Sequence, residues 1–210
     1  IPGQTQTNDG VGQDPFSTNR SSSANETDRH FRVNRRTQLP ISIHTEHLNL
    51  ERIGFHHETL LYEIHSDERV TATLGGVKSR KQNREWVQEK VQHWEDNGYG
   101  LYVFFDHNEA FVGRGGLLRV LIGDEDEVEI NYSIVADSWG QGYATEAATR
   151  FIELGFGHLP VESLIAFTLT TNIGSKRVME KIGMTHSHEF THHGHPHALY
   201  RIHRPTNAVG

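Results

Sequence analysis

Residues 127–156, EVEINYSIVADSWGQGYATEAATRFIELGF, pass from one periodicity into another. Val128, Ile130, Tyr132 and Ile134 alternate with Glu129, Asn131 and Ser133, the period-two pattern of a strand whose two faces differ. After Trp139-Gly140-Gln141-Gly142-Tyr143 the apolar positions move to helical spacing at Ala144, Ala147, Ala148 and Phe151. A helix beginning just after glycines offers unpaired N–H groups and the positive end of its dipole. Gly140 and Gly142 carry no Cβ, so an anion can come close to the main chain. The stretch therefore reads as a phosphate cradle, although any tight strand-to-helix turn also uses glycine. Two nucleotide alternatives fail here. A Walker loop needs Gly-Lys-Ser/Thr at the helix start, and a dinucleotide fingerprint needs a third glycine where this chain has Thr145.

Trp139-Gly-x-Gly-Tyr-Ala-Thr-Glu-Ala147, following a Glu129-x-x-Tyr132 strand, resembles the GNAT superfamily of acyl-CoA-dependent N-acyltransferases. More narrowly, it is similar to the branch that acetylates ribosomal-protein N-termini. The resemblance runs from about Thr45 to Ile202 and includes TEHLNLERI (45–53), VGRGGLLRV (112–120) and TNIGSKRVMEKIGM (171–184). The superfamily's broad pattern opens the pyrophosphate loop with Gln or Arg, where this chain has Trp139. That substitution is usual in the ribosomal branch. The resemblance implies an α+β fold in α/β/α layers. Its mixed, mostly antiparallel sheet would have helices on both faces, with a central parallel strand pair splayed to admit the cofactor.

Composition sets bounds. A chain of 210 residues is expected to hold one domain that buries a sizeable core, plus a tail. The formal charge is −7; the first 40 residues carry five Arg against four acidic groups, leaving 15 basic against 23 acidic for the rest. An acidic domain is a poor nucleic-acid binder and a plausible host for cations, and solubility would explain the charge equally well. No apolar run approaches ~18 residues, so no membrane span is expected. No charged-then-apolar leader is visible, and the first residue is Ile, which points to processing or truncation. A cytoplasmic location is the expectation. Zero Cys excludes disulfides, cysteine nucleophiles and thiolate metal sites.

Residues 1–40 are polar with little apolar periodicity and are expected to be disordered or loosely attached, with a small basic stretch at Arg29, Arg32, Arg35 and Arg36. The domain is expected over 41–204 and a short tail over 205–210. Within the domain the patterns predict a strand from Thr45 to Glu51, a helix over 57–73 and a second over 81–96. A hairpin follows, with strands over 99–105 and 110–120. The acidic run Asp124–Glu127 reads as a turn, either merely solvated or steering a cationic acceptor. Beyond the central helix come a strand over 163–170, a helix over 173–182 closed by Gly183, and strands over 186–192 and 197–203.

Acyl transfer from a thioester to an amine requires loss of an amine proton, stabilisation of an oxyanion and protonation of the leaving thiolate. No covalent enzyme intermediate is needed, which suits a chain without Cys. Glu129 is the candidate general base, on the strand face that the family turns toward its cleft; a strand glutamate in solvent or a salt bridge is the competing reading. Asn172 is a good helix N-cap in its own right. The resemblance gives it a contact with the pantetheine arm, and gives Ser175 a place near the thioester sulfur as acid. Tyr132 and Tyr200 are alternative donors. By the same resemblance the main chain of Ile134, Val135 and Ala136 pairs with pantetheine, while Gln141, Gly142, Tyr143, Ala144 and Thr145 hold the pyrophosphate. Glu146 suits the helix dipole and reads as structural. The 16 histidines, several in the last hairpin, offer adventitious metal contacts, but the implied reaction needs no metal.

The favoured function is an acetyl-CoA-dependent N-acetyltransferase acting by direct attack of an amine from a protein N-terminus, a polyamine or another aminated small molecule. A non-catalytic acyl-CoA-binding sensor is the alternative. The chain is expected to be a monomer or homodimer, with no nucleic-acid or membrane partner.

Overall fold

The computed structural model describes residues 38–206. The expectations for the polar leader up to residue 37, its basic stretch, and residues 207–210 lie outside the described residues. Packing is under way by Leu39, which is buried and donates its N–H to Gly98 O.

The chain order is β1 (Ser42–His44), β2 (Leu48–Arg52), α1 (Glu58–Ser66), α2 (Glu68–Thr71), α3 (Arg80–Asn97), β3 (Leu101–Asp106), β4 (Phe111–Ile122), β5 (Glu125–Ile134), α4 (Tyr143–His158), β6 (Ser163–Leu169), α5 (Ile173–Lys181), β7 (Thr185–His192) and β8 (His195–His203). The strands form one sheet in the order β1-β2-β3-β4-β5-β6-β8-β7. Every neighbouring pair is antiparallel except β5 and β6.

Helices cover both faces. On β4, Arg114 reaches His65 of α1, whereas Leu117 lies beside Gly155 of α4. Residues an odd number apart on a strand point to opposite sides, so α1 and α4 sit on different faces. The apolar stripe of α4 buries Ala147, Ala148, Phe151 and Leu154, and the Phe151 ring lies 6.0 Å from those of both Tyr102 and Phe104. An aromatic side chain buried like this contributes about 2–3 kcal/mol.

Three boundaries differ from the sequence reading. The predicted helix over 57–73 is interrupted at Asp67, whose backbone is extended and whose carboxylate accepts the N–H of Arg69 to cap α2. Strand β1 precedes the predicted first strand and pairs with β2. The predicted acidic turn is mostly strand, since β5 begins at Glu125. There Asp126 pairs with Arg119 at 2.5 Å and Glu127 with Arg201 at 2.6 Å, so two of the four acids are neutralised within the sheet.

Candidate active site

Strand β5 organises the site. Its register with β6 consists of one pair, Glu129 with Ile165. Beyond it β6 stays with β8 as far as Leu169, and β5 stays with β4 as far as Ile134, so the two central strands part company. Val135 donates its N–H to Val112 O at 3.0 Å. In an antiparallel ladder bonded and non-bonded pairs alternate, so this bond sets the phase. The main chain of Glu129, Asn131 and Ser133 faces β4, and that of Tyr132 and Ile134 faces the parting with β6. In the predicted backbone trio Val135 has both groups committed, its N–H to β4 and its carbonyl to Ser138 N–H at 3.0 Å, while the Ala136 carbonyl accepts Trp139 N–H at 3.2 Å. The Ile134 carbonyl accepts the Trp139 indole N–H at 2.9 Å, which anchors the half-exposed ring that opens the loop.

Past that ring the chain turns through Gly140 (φ 80°) and Gly142 (φ 89°), both left-handed, with open space where a Cβ would stand. Side chains rarely adopt this conformation, which accounts for glycine at both positions. Gly142 caps α4, and Glu146 N–H is the first amide to bond back, to Gly142 O at 3.0 Å. Among the described residues no hydrogen bond takes up the amides of Gln141, Gly142, Tyr143, Ala144 or Thr145. Glu146 turns the other way. Its carboxylate accepts from Thr45 Oγ1 (2.5 Å), His47 N–H (2.7 Å) and the His47 ring (2.9 Å), tying the β1–β2 turn to the helix start. Burial opposes its ionisation, but these bonds outweigh burial and lower its pKa.

Glu129 is 5% exposed, on the α1–α3 face of β5. Burial pushes its carboxyl up to about 7, against the pull of the Asn131 amide and of the Lys90 and Arg114 charges. Sequence reasoning missed what stands behind it. Asn131 Nδ2–H donates to Glu129 Oε1 at 2.9 Å, Arg114 Nη1–H to Asn131 Oδ1 at 2.6 Å, and Arg114 Nε–H to His65 Nε2 at 3.2 Å. The other His65 nitrogen lies 2.8 Å from Asn83 Oδ1, and Asn83 Nδ2–H donates to Glu58 O. Burial, then the Arg114 charge, lowers His65 to about 3 and keeps it neutral. Trp86 covers the chain, with its ring 4.7 Å beneath the guanidinium and edge-on to His65 at 4.4 Å. The available signal was Arg114 itself, a charge inside the apolar run VGRGGLL, which must find partners if buried.

On the opposite face, Tyr132 OH lies 2.9 Å from Ser175 Oγ and donates to Ser175 O at 3.1 Å. Two of the alternative proton donors therefore share one hydrogen bond. Burial, with Glu129 adding to it, raises the phenol to about 12. Asn172 caps α5 by accepting Ser175 N–H at 3.1 Å, and its Nδ2 makes no hydrogen bond among the described residues. Tyr200 is buried, and its OH donates to Glu180 Oε1 at 3.3 Å. The terminal histidines pack ring to ring, His192 and His197 each against Phe167. Among the described residues, the group closest to a metal-ligand arrangement is elsewhere, at Glu51, His56 and His57. There His57 Nδ1 already accepts Gly54 N–H, which leaves the proton on the nitrogen facing Glu51. A cavity of about 490 Å³ adjoins the end of β5, lined by Glu63, Asp67, Arg69, Phe111, Ala136 and Asp137 among others. No helix among the described residues is long and apolar enough to cross a membrane.

Residues 47–185 match the acetyltransferase (GNAT) domain family. The chain is similar to the uncharacterized protein YkkB of Bacillus subtilis, 32% identical over 68% of this chain and 83% of that one. It is 29% identical to the FsC-acetyl coenzyme A-N(2)-transacetylase of Aspergillus fumigatus, over 71% of this chain and 67% of the relative. Its fold is that of the ribosomal-protein-S5-alanine acetyltransferase from Vibrio fischeri, with a TM-score of 0.64 at 15% identity, covering 78% and 97% of the two chains.

Proposed function

Because the chain belongs to the GNAT acetyltransferase family, whose members use acetyl-CoA, we propose that it moves an acetyl group to a primary amine by direct attack. The single observation that carries this reading is the parting of β5 from β6, flanked by a carboxyl held near neutral pKa and a loop of unpaired amides.

The diphosphate sits on the amides of Gln141–Thr145, where the helix dipole and the donors act together on negative charge. Pantetheine runs along the β5 edge, pairing with the main chain of Ile134 and Ala136 and with the Asn172 amide, and Val135 lines the path. On this reading the thioester lies at the parting, between Glu129 on one face of β5 and the Tyr132–Ser175 pair on the other. Glu129 takes the ammonium proton, directly or through one water, and the freed nitrogen attacks the thioester carbonyl. The C–N bond forms, the C–S bond breaks and the electron pair leaves on sulfur. Ser175 Oγ–H protonates that thiolate and is reprotonated through the Tyr132 phenol, which turns from the Ser175 carbonyl to Oγ and regains its proton from solvent as Glu129 releases the one it took from the amine. Coenzyme A and an acetylated amine are the products.

The acceptor is a protein N-terminus, a polyamine or another small amine. The names of two relatives support the first and last of these, one acting on a ribosomal protein's alanine and another on an N(2) position of FsC. A non-catalytic sensor has no use for a buried carboxyl near neutral pKa, which favours the enzyme. The test is thiol release from acetyl-CoA against N-terminal peptides, polyamines and aminoglycosides. Release with one class fixes the acceptor, and tight coenzyme A binding with no release from any of them returns the reading to a sensor.

A further inference from the structure

Arginine only donates hydrogen bonds, and this gives the polar chain behind Glu129 a direction. Arg114 is 6% exposed and Asn83 fully buried, so neither exchanges its partners for water at low cost. Since Arg114 Nε–H points at His65 Nε2, that nitrogen is the acceptor; the His65 proton sits on Nδ1 and is given to Asn83 Oδ1. Since Arg114 Nη1–H points at Asn131, the carboxamide must turn its oxygen to the guanidinium. Its NH₂ end then has one direction left, toward Glu129 Oε1. Oε2 makes no hydrogen bond among the described residues. The orientation of an amide on β5 is thus set by an arginine on β4, held in turn by a histidine on α1 and an asparagine on α3.

We propose that Arg114 is the positioning residue of the base: it locks the Asn131 carboxamide so that Glu129 Oε1 is held as an acceptor and Oε2 is left to receive the amine proton. This deepens, and rests on, the reading of Glu129 as general base. Without Arg114, Asn131 is free to flip and present its oxygen to Glu129, a contact that only the protonated carboxyl can satisfy. The charged groups acting on Glu129 are Arg114 of β4 and Lys90 of α3; Tyr132 of its own strand is titratable but neutral, and the β6 partner is the apolar Ile165. Losing the arginine charge or the Asn131 donor therefore acts in one direction, toward the protonated acid.

The experiment is a ¹³C-glutamate NMR titration of the full chain, with the Glu129 carboxyl assigned by its loss in Glu129→Gln. The same proteins give a pH profile of kcat/KM with acetyl-CoA and the acceptor from the thiol-release screen. Wild-type Glu129 is expected to titrate near 7. Asn131→Ala, at a half-buried position, and Arg114→Gln are each expected to move that titration upward by about one pH unit or more. The rising limb of activity should move with it, and coenzyme A affinity should stay unchanged. Arg114→Lys, which keeps the charge but not the fork, should move it less than Arg114→Gln. An unmoved titration in a folded Asn131→Ala overturns the positioning role even if Arg114→Gln does not fold. A carboxyl that moves while the activity limb stays in place leaves the positioning role standing and removes Glu129 as the base.

Discussion

Strand β5 serves two polar regions built on opposite terms. On its α1–α3 face the polar groups from Asn83 through His65, Arg114 and Asn131 to Glu129 form one connected, buried chain. Where β5 gives way to α4, five successive amides, from Gln141 to Thr145, have no partner among the described residues. Buried polar groups must be paired or they cost ~1–3 kcal/mol each, so the first region is closed and can fix the proton affinity of a single carboxyl. Donors can stay open only where solvent or an anion completes them, so the second region can change its occupant. Within 20 residues the chain thus separates proton management from charge capture, and substitutions should separate them too.

The largest expected effect is catalytic. Glu129→Gln keeps an oxygen for Asn131 but cannot take a proton, so kcat should fall by about 10²–10⁴. Coenzyme A affinity, measured by calorimetry, should change by less than about twofold. A joint loss of both would dissolve the distinction between the regions.

The same substitution should reveal the cost of the buried acid. The folded pKa of Glu129 is raised from 4.5 to about 7. Its contribution to stability is therefore fully present below the unfolded value and is lost as pH rises through the folded one. Glu129→Gln escapes that loss. Thermal melts should show little difference between the two proteins near pH 4.5 and a more stable variant at pH 8, by roughly 1–3 kcal/mol. A variant less stable at pH 8 would mean that Glu129 is ionised and well paired in the fold.

Smaller effects are expected from the donor pair. Ser175→Ala and Tyr132→Phe should each lower kcat about tenfold, and the double variant should be little worse than either, because they share one hydrogen bond. Additive losses in stopped-flow rates would mean two independent acids. The smallest effect belongs to the far end of β5. Asp124→Asn with Glu125→Gln should change kcat/KM by less than about twofold, since their neighbours Asp126 and Glu127 are already ion-paired within the sheet. A larger loss would restore the acidic run as a guide for a cationic acceptor.

The open region was the more legible in the sequence. A strand period, two glycines and a helical period are local signals, and β5, the turn and α4 were all readable from residues 127–156. The closed region was not. Glu129 stood out by its place on the strand, but Arg114 and His65 are 49 positions apart, and no periodicity links them. Asp67 escaped notice because a helix cap inside an unbroken apolar stripe looks like one more polar position. β1 is three residues long, too short to show alternation.

The most direct test of the central claim is a calorimetric titration of coenzyme A into the wild type and Gly142→Ala. Gly142 holds φ at 89° with nothing near its missing Cβ, so alanine strains the loop without filling it. The wild type should bind one coenzyme A per chain, and the variant about tenfold more weakly, as expected for ~1–2 kcal/mol of left-handed strain. A wild type that does not bind, or a variant that binds equally well, would contradict the claim that these main-chain amides grip the diphosphate.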